Sequence, residues 1–309
     1  MKNITELLNI KYPLIGGAMA NITRAPLVAA VSNAGGLGII GTSNNDGEWL
    51  REQIRETRKL TDKPFGVNVL LLSPHAKEIA QVVIEEKVQV VTTGAGNPAP
   101  YIESWKEAGI IVIPVVPSSG LARRMERAGA DAVIVEGMEA GGHIGKMTTF
   151  ALIPQVVDAV SIPVIAAGGI GDKRSVLAAF ALGAKGVQAG TIFLATKEAP
   201  IHDNYKDMVV RAKDIDTVVT GSDKAPVRII KNQMSNEYLK QIKEGKSFEE
   251  LEHLTLGSLY KAIVLGNLDE GSFMAGQISG LVKEVRTVNE VVEDLFSGLT
   301  EYQKNLEVL

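Results

Sequence analysis

Two glycine-containing segments of the sequence have the composition of a phosphate-binding site. Gly168-Gly169 and Gly190-Thr191 each follow a short apolar run that is typical of a β-strand. Glycine lets the main chain come close to a ligand, and backbone N–H groups in a loop or at the start of a helix hold a dianion without a lysine. The same glycines would also relieve crowding at strand ends. We favour the phosphate site and include the neighbouring Ala189 in it.

A second candidate is a histidine in a glycine-rich segment, residues 136–145 (EGMEAGGHIG). The glycines beside His143 are unfavourable to a helix or a strand and indicate a loop. An imidazole has an ordinary pKa of about 6.5, so it can exchange a proton near neutral pH. His143 is therefore our candidate catalytic residue. The other histidines, His75, His202 and His253, lie in charged segments and are expected to be structural or solvated.

Short apolar runs rich in β-branched residues must position these groups. They lack the alternation of half-exposed strands, so we expect strands buried on both faces, as in a parallel sheet. With helical segments between them, they predict an α/β fold, a TIM (β/α)₈ barrel rather than a doubly wound open sheet. The predicted strands are residues 12–15, 37–40, 65–72, 88–93, 110–116, 132–135, 163–167 and 186–194. Residues suited to end helices are Gly35, Gly109, Gly129 and Gly183, and residues suited to start them are Ser118 and Asp172.

The rhythm of strands and helices stops after the eighth strand. We assign residues 1–195 to the barrel, residues 196–256 to a polar helical lid without strands, and residues 257–309 to closing helices. Cations of the lid could face an anionic substrate or form a solvated face. They are Lys206, Arg211, Lys213, Arg228 and Lys231.

Composition excludes several classes of protein and site. The chain of 309 residues contains no Cys, which excludes disulfides, thiolate metal sites and a catalytic thiol. Its net charge of −4, without a basic tract, argues against nucleic-acid binding. No run approaches the ~20 apolar residues of a membrane span, so we expect a cytoplasmic protein. No histidines or carboxylates have metal-ligand spacing, so no metal site is predicted, and Glu139 is expected to cap a helix or to be solvated.

Several sequence strings together resemble one family. The chain is similar to flavin-dependent enoyl-[acyl-carrier-protein] reductase II, which is closely related to the nitronate monooxygenases. The likeness covers nearly the whole chain, in order. The strings are residues 35–41, 62–68, 92–98, 139–145, 163–169, 188–191, 230–233 and 274–277.

The resemblance implies an FMN cofactor in the barrel mouth, with its phosphate at Gly168, Gly169, Gly190 and Thr191. It also implies NADH or NADPH as co-substrate, an acyl-carrier-protein thioester as substrate, stimulation by a monovalent cation, and a homodimer. His143 matches the catalytic base of the nitronate enzymes. Residues expected around the ring and ribityl chain are Gly17, Ala18, Met19, Asn68, Glu136, Gly141 and Gln188.

Alternatives remain at this point. A nitronate monooxygenase would use the same flavin and histidine but pass electrons to oxygen. A flavin-free isomerase or aldolase would need a Lys or Glu at a strand end, where Glu136 is the one such acid. A barrel could also bind flavin or carrier protein without turnover. The sequence departs from the reductases at Asn21, where they usually have an aromatic residue, which affects the substrate side of the pocket.

Overall fold

Eight parallel strands form a barrel in the computed structural model, which describes residues 3–222 and 225–306. Residues 1–2, 223–224 and 307–309 of the predicted segments lie outside this description. The described strands are β1 (Leu14–Gly16), β2 (Gly38–Gly41), β3 (Phe65–Leu70), β4 (Val90–Gly94), β5 (Ile111–Val116), β6 (Val133–Glu136), β7 (Gly142–His143), β8 (Val164–Ala167), β9 (Gly186–Ala189), β10 (Thr217–Ser222) and β11 (Ala225–Ile230). The barrel order is β1-β9-β8-β6-β5-β4-β3-β2, and a parallel bridge from Ile15 to Leu37 joins its two ends. The predicted TIM barrel is confirmed.

Helices surround the barrel and follow it. They are α1 (Ile4–Leu8), α2 (Ala25–Asn33), α3 (Gly47–Leu60), α4 (Ala76–Glu85), α5 (Ala99–Glu107), α6 (Ser119–Arg127), α7 (Thr149–Val157), α8 (Lys173–Ala181), α9 (Thr191–Leu194), α10 (Asp203–Arg211), α11 (Gln233–Lys243), α12 (Glu252–Thr255), α13 (Ser258–Ile263), α14 (Val288–Phe296), α15 (Leu299–Lys304) and a 3₁₀ helix at Gln277–Leu281. Within the described ranges, none of the helices has the length and apolar character needed to cross a membrane.

The predicted helix boundaries follow from capping chemistry. Ser118 accepts a hydrogen bond from the Leu121 N–H at the start of α6, and Asp172 forms a capping box with Ser175 at the start of α8. The four glycines predicted to end helices have φ angles from 75° to 99°, the left-handed region that glycine adopts without steric cost.

The barrel interior is an apolar column. Ile15, Ile39, Ile113, Ile134 and Ile165 belong to one buried cluster inside the strands. Ile4 and Leu8 of α1 belong to the same cluster, and a Cβ at Gly186 would contact Ile4. Helix α1 therefore closes the amino end of the barrel, which leaves the carboxyl end for ligands.

Two sequence predictions about strands are wrong. The eighth predicted strand, residues 186–194, ends at Ala189, because α9 begins at Thr191. The segment predicted to be a strandless lid contains α10, α11 and α12 but also an antiparallel hairpin of β10 and β11. Its β-branched residues, such as Val218 and Ile229, are the signal for these strands, and the interspersed polar residues obscured it.

Close packing between α2 and β2 supplies a test of the barrel. A Cβ at Gly38 would collide with the carbonyl group of Val28, whereas a Cβ at Gly120 in α6 would meet no atom within 4 Å. We expect Gly38→Ala to lower the free energy of unfolding by about 3 kcal/mol or more, because the backbone must shift. The matched control Gly120→Ala should be neutral or stabilise by up to ~1 kcal/mol. Urea denaturation measures both, and equal stability of the two variants would contradict this packing.

Candidate active site

A layer of polar side chains covers the apolar column at the carboxyl end of the barrel. Ala132, directly before β6, and Ile134 within it belong to the interior cluster, so alternation places Glu136 on the interior side as well. Gly186 also faces the interior, which places Gln188 there. The register aligns Glu136 with Ala167 and Ala167 with Gln188, so the two polar side chains lie at one level.

The opposite side of this level is formed by β3 and β4. A Cβ at Gly66 would contact the interior residues Ile39 and Val90, so Asn68 and Thr92, two residues further along their strands, also face inward. Their register pairs them directly. We call Asn68, Thr92, Glu136 and Gln188 the polar layer.

Hydrogen bonds fix the orientation of Asn68. Its side-chain oxygen accepts a bond from the Thr92 hydroxyl at 3.0 Å, and its main-chain oxygen accepts one from the Thr42 hydroxyl at 2.8 Å. The Asn68 amide NH₂ group is left to donate to a ligand in the barrel mouth. The sequence predicted Asn68 as a site residue but did not indicate that Thr42 and Thr92 would orient it.

Glu136 has neither a salt bridge nor a side-chain hydrogen bond to the residues that the structure describes. The side chain is half-buried at the end of β6, above the apolar column. Burial disfavours the charged carboxylate and raises the pKa of Glu136 from 4.5 to about 7. This carboxyl group can therefore gain or lose a proton near neutral pH.

The two predicted phosphate loops present unused backbone donors. Gly168 and Gly169 have φ angles of 86° and 77° and follow β8, while Gly190 and Thr191 follow β9. The N–H groups of Gly169, Gly190 and Thr191 donate to no acceptor among the described residues. The Thr191 hydroxyl accepts a bond from the Gly276 N–H at 2.8 Å, so it is partly committed to the fold.

The end of β1 lies against the second of these loops. The Gly17 N–H donates to the Ala189 oxygen at 2.7 Å, and a Cβ at Gly190 would lie 3.5 Å from the Met19 sulfur. Ala18 packs against the interior cluster. The predicted residues of this strand end therefore border the phosphate loops and the polar layer.

His143 is held on a small sheet, which corrects the predicted loop. It lies in β7, opposite Val227 of β11, and its side chain is exposed. The Ile144 N–H donates to the Pro226 oxygen at 3.1 Å and continues this attachment. The β10–β11 hairpin therefore positions the candidate catalytic histidine.

Arg228 of the hairpin also binds the segment that contains His143 (residues 136–145, the histidine segment). Its Nε and Nη2 both donate to the Met138 oxygen, at 3.1 and 2.9 Å, and its Nη1 donates to the Thr217 hydroxyl at 3.1 Å. The side chain is only 4% exposed. Burial lowers the pKa of the guanidinium group, and the negative charge of Glu139 opposes this shift.

The basic residues predicted as a possible anion-binding cluster have separate contacts and do not form one site. Arg228 binds a backbone carbonyl, Lys231 donates to the Ile215 oxygen at 2.6 Å, and Arg211 lies 3.7 Å from Asp207. Lys206 is buried, whereas Lys213 is exposed. The solvated or structural alternative describes these residues better than a shared anion site.

Glu139 caps a helix, which is one of the two roles that the sequence predicts for it, the other being a solvated side chain. Its carboxylate accepts bonds from the Thr149 N–H at 2.9 Å and from the Thr149 hydroxyl at 2.9 Å, at the start of α7. The Thr149 hydroxyl also lies 3.0 Å from the Gly168 oxygen. Thr149, which sequence reasoning missed, thus joins the histidine segment to a phosphate loop.

Segment 274–277 also packs against the histidine segment. A Cβ at Gly141 would lie 2.6 Å from the Ala275 carbonyl carbon, and a Cβ at Gly276 would lie 2.6 Å from the Glu139 oxygen. The Gln277 N–H donates to that oxygen at 2.9 Å. Gly141 therefore has a packing role: two backbones pass too closely for any side chain.

The local backbone conformation favours an asparagine at position 21. Its φ angle is 60°, a conformation that Asn adopts more readily than an aromatic residue, and its oxygen accepts a bond from Arg24 Nε at 3.1 Å. The departure from the reductase pattern thus coincides with a left-handed residue in the connection between β1 and α2.

Comparison with known proteins assigns the family. The family model described as nitronate monooxygenase matches residues 1–86 and 77–298 in two overlapping segments. The chain belongs to the nitronate monooxygenase family. Because this is a family of FMN enzymes, the chain is a flavin-dependent oxidoreductase.

Members and neighbours of this family bear different names. The structure of FabK from Thermotoga maritima is 49% identical, covers 99% of this chain and 98% of its own, and has a TM-score of 0.95. A probable nitronate monooxygenase of Staphylococcus aureus strain JH9 is 39% identical over 70% of this chain and 74% of its own length. A protein of Rhodococcus jostii named (3aS,4S,5R,7aS)-5-hydroxy-7a-methyl-1-oxo-octahydro-1H-indene-4-carboxyl-CoA dehydrogenase is 32% identical and covers 94% of both chains.

The half-buried carboxyl group of Glu136 predicts a pH-dependent stability for the flavin-free protein. Because folding raises the pKa of Glu136 to about 7, the folded state holds a proton that the unfolded state releases above pH 4.5. Stability should therefore fall as pH rises from about 4.5 to about 7. We expect Glu136→Gln to match the wild type at pH 4.5 and to be more stable at pH 8, by up to ~3 kcal/mol.

Urea denaturation of both proteins across this pH range measures the difference. Glu293→Gln, on the surface of α14, is the control and should follow the wild-type curve. A constant difference between Glu136→Gln and the wild type at all pH values would contradict the assignment.

The buried guanidinium group predicts a second effect on stability. Arg228→Met leaves the Met138 oxygen without its two donors, so we expect a loss of about 2 kcal/mol in the free energy of unfolding. Arg211→Met removes an arginine that is exposed in α10, and it should change stability by less than ~0.5 kcal/mol. Thermal and urea denaturation provide the measurement, and equal effects of the two changes would refute the structural role of Arg228.

Proposed function

We propose that this flavoenzyme reduces trans-2-enoyl thioesters of acyl carrier protein with NADH or NADPH. The observation that carries this proposal is the match to FabK, an enoyl-[acyl-carrier-protein] reductase II, over 99% of the chain. The S. aureus nitronate monooxygenase relative covers 70% of it. A homodimer and stimulation by a monovalent cation are part of the same proposal, because they come with the resemblance.

The residues of the barrel mouth fit FMN. The free N–H groups of Gly169, Gly190 and Thr191, with Gly168 beside them, provide donors for a phosphate dianion. The polar layer offers amide and carboxyl groups to the polar edge of a flat ring, and glycine and alanine at β1 leave room for it. Residues proposed to contact the cofactor are Gly17, Ala18, Met19, Asn68, Glu136, Gly141, Gly168, Gly169, Gln188, Ala189, Gly190 and Thr191. When bound, FMN supplies hydride transfer.

His143 is the proposed residue for proton handling. Its imidazole is exposed on β7, and the hairpin holds it at the carboxyl end of the barrel. Reduction of an enoyl thioester requires a proton at the carbon next to the carbonyl group. The imidazole can deliver or orient that proton, or position the thioester itself.

A nitronate monooxygenase is the second candidate function. The family model and the S. aureus relatives favour it, and it needs the same flavin and a histidine base. The two functions differ in the electron acceptor, because the monooxygenase transfers electrons to oxygen and does not need NADH or NADPH.

An anaerobic optical experiment separates the candidates. The purified protein should show a flavin spectrum that NADH or NADPH bleaches, and a crotonyl thioester should restore the oxidised spectrum promptly. Bleaching that only oxygen reverses, or oxygen-dependent nitronate turnover without bleaching, would favour the monooxygenase. A colourless protein that takes up no FMN would contradict both.

The role of His143 is tested by a matched pair of variants. We expect His143→Ala to keep its flavin but to lose about 10²–10⁴-fold in kcat for enoyl thioester reduction. His253→Ala changes an exposed histidine of α12 and should keep wild-type kcat. Full turnover and unchanged substrate affinities in His143→Ala would overturn the assignment.

A further inference from the structure

Glu136 is the one acidic residue of the polar layer, and its carboxyl group has no partner among the described residues. It accepts no hydrogen bond and forms no salt bridge there. Glu139, three positions later, contrasts with it, because its carboxylate accepts bonds from the N–H and the hydroxyl of Thr149. A carboxylate that lacks both donors and a counter-charge in partly dehydrated surroundings is less stable than the neutral acid.

The elements packed against β6 bring no charge to Glu136. Strands β5 and β8 and helix α7 contain no titratable residue. Ala167 of β8 pairs directly with Glu136, and Val115 of β5 pairs with Ile134 below it. The other members of the polar layer carry two amides and a hydroxyl, which are uncharged near neutral pH. The immediate surroundings of Glu136 are therefore neutral.

The charged groups of the neighbouring connections do not compensate a charge on Glu136. Glu139 and Arg228 are already committed to contacts within the fold. The side chains of His143 and Lys146 are exposed, so water weakens their effect on a neighbour. Burial is the cause that raises the pKa of Glu136 to about 7, and no charged group contributes to this shift.

Reduction of a flavin adds negative charge to such a mouth. Two electrons and one proton convert the oxidised ring to a reduced form with one negative charge, and charge near the ring changes how readily it accepts electrons. The FMN proposed for this mouth contacts the polar layer, so its ring and Glu136 share one partly dehydrated space. Two negative charges there repel each other, and a proton on the carboxyl group removes one of them.

We propose that Glu136 is a redox-linked proton site, whose carboxylate takes up one proton when the flavin is reduced and releases it when the flavin is oxidised. NADH or NADPH supplies two electrons and one proton to the flavin as hydride, and water supplies the second proton, which binds a carboxylate oxygen of Glu136. Oxidation of the flavin returns that second proton to water. This inference rests on the FMN of the proposed function and not on the identity of the substrate.

The pH range of the effect follows from the burial of the carboxyl group. In the flavin-free protein the pKa of Glu136 is already about 7, and a ring in the mouth excludes more water from it. At lower pH the carboxyl group is protonated in both redox states, so reduction takes up no second proton. The extra proton is therefore expected above about pH 7.

The midpoint potential of the holoenzyme measures this proton. One proton per flavin changes the reduction equilibrium tenfold per pH unit, which is about 30 mV for a two-electron couple. We expect the potential of the wild type to fall more steeply than that of Glu136→Gln, by about 30 mV per pH unit above about pH 7. At about pH 6 the two curves should run parallel. Spectroelectrochemical titration with redox mediators between about pH 6 and 10 gives both curves.

Two further variants and a second observable separate this role from a structural one. Glu136→Asp keeps a carboxyl group in the mouth and should keep the steeper curve. Glu293→Gln, on the exposed side of α14, should follow the wild type. The infrared difference spectrum, reduced minus oxidised, at about pH 8 should gain the C=O band of a protonated carboxyl group in the wild type, and Glu136→Gln should lack this band.

The outcomes distinguish this inference from the proposed function, because an electrode supplies the electrons and no thioester is needed. Equal slopes in the wild type and Glu136→Gln over the whole range, or no carboxyl band in the wild type, would refute the proton site. An enoyl thioester reductase with equal slopes would refute this inference alone. A flavoprotein with the extra proton but without thioester reduction would support the inference and contradict the reductase. A protein that takes up no FMN would refute both.

Discussion

The alternation of side chains along the barrel strands determines where chemistry can occur in this protein. Interior positions are filled by Ile15, Ile39, Ile113, Ile134 and Ile165, and α1 closes the amino end. Two residues beyond Ile134 and Gly186, the same interior side bears the polar side chains of Glu136 and Gln188. The side chains that face the barrel interior therefore change from apolar to polar within two residues of a strand. The apolar residues beneath Glu136 partly exclude water from its carboxyl group. The apolar column thus both stabilises the fold and sets the protonation of a residue in the mouth.

A second constraint is the close passage of backbones around the histidine segment. Gly141 and Gly276 are packed so tightly that a side chain at either would meet the other segment's main chain. Arg228 holds the same segment through the Met138 oxygen, and Glu139 attaches it to α7 through Thr149. A residue exposed to solvent, His143, is therefore mounted on a rigid support. Precise placement of an exposed side chain with a proposed catalytic role requires such buried contacts, because the side chain itself has few.

The sequence predicted the barrel well, and also the strand ends except that of the eighth strand, because both depend on local signals. Buried parallel strands are continuous apolar runs, and glycine or a capping side chain marks each helix boundary, as at Gly183 and Asp172. The β10–β11 hairpin was missed because its apolar runs are short and are interrupted by Gly221, Pro226 and Arg228, and because its partner, β7, is only two residues long. The roles of Thr149, Arg228 and Gly276 could not be read locally, since each contacts residues far away in the chain. Arg228 and Met138, for example, are 90 positions apart.

The division between barrel and hairpin also explains how one family can include proteins with different names. The polar layer belongs to the strands, and the predicted phosphate loops follow β8 and β9 directly, so the barrel fixes the positions of both. The histidine and the hairpin lie on connections between strands, which can change without altering the barrel. A nitronate is a small anion and needs only the mouth, whereas a thioester on a carrier also needs a surface outside it. Differences in substrate should therefore lie on these connections, while the polar layer stays the same.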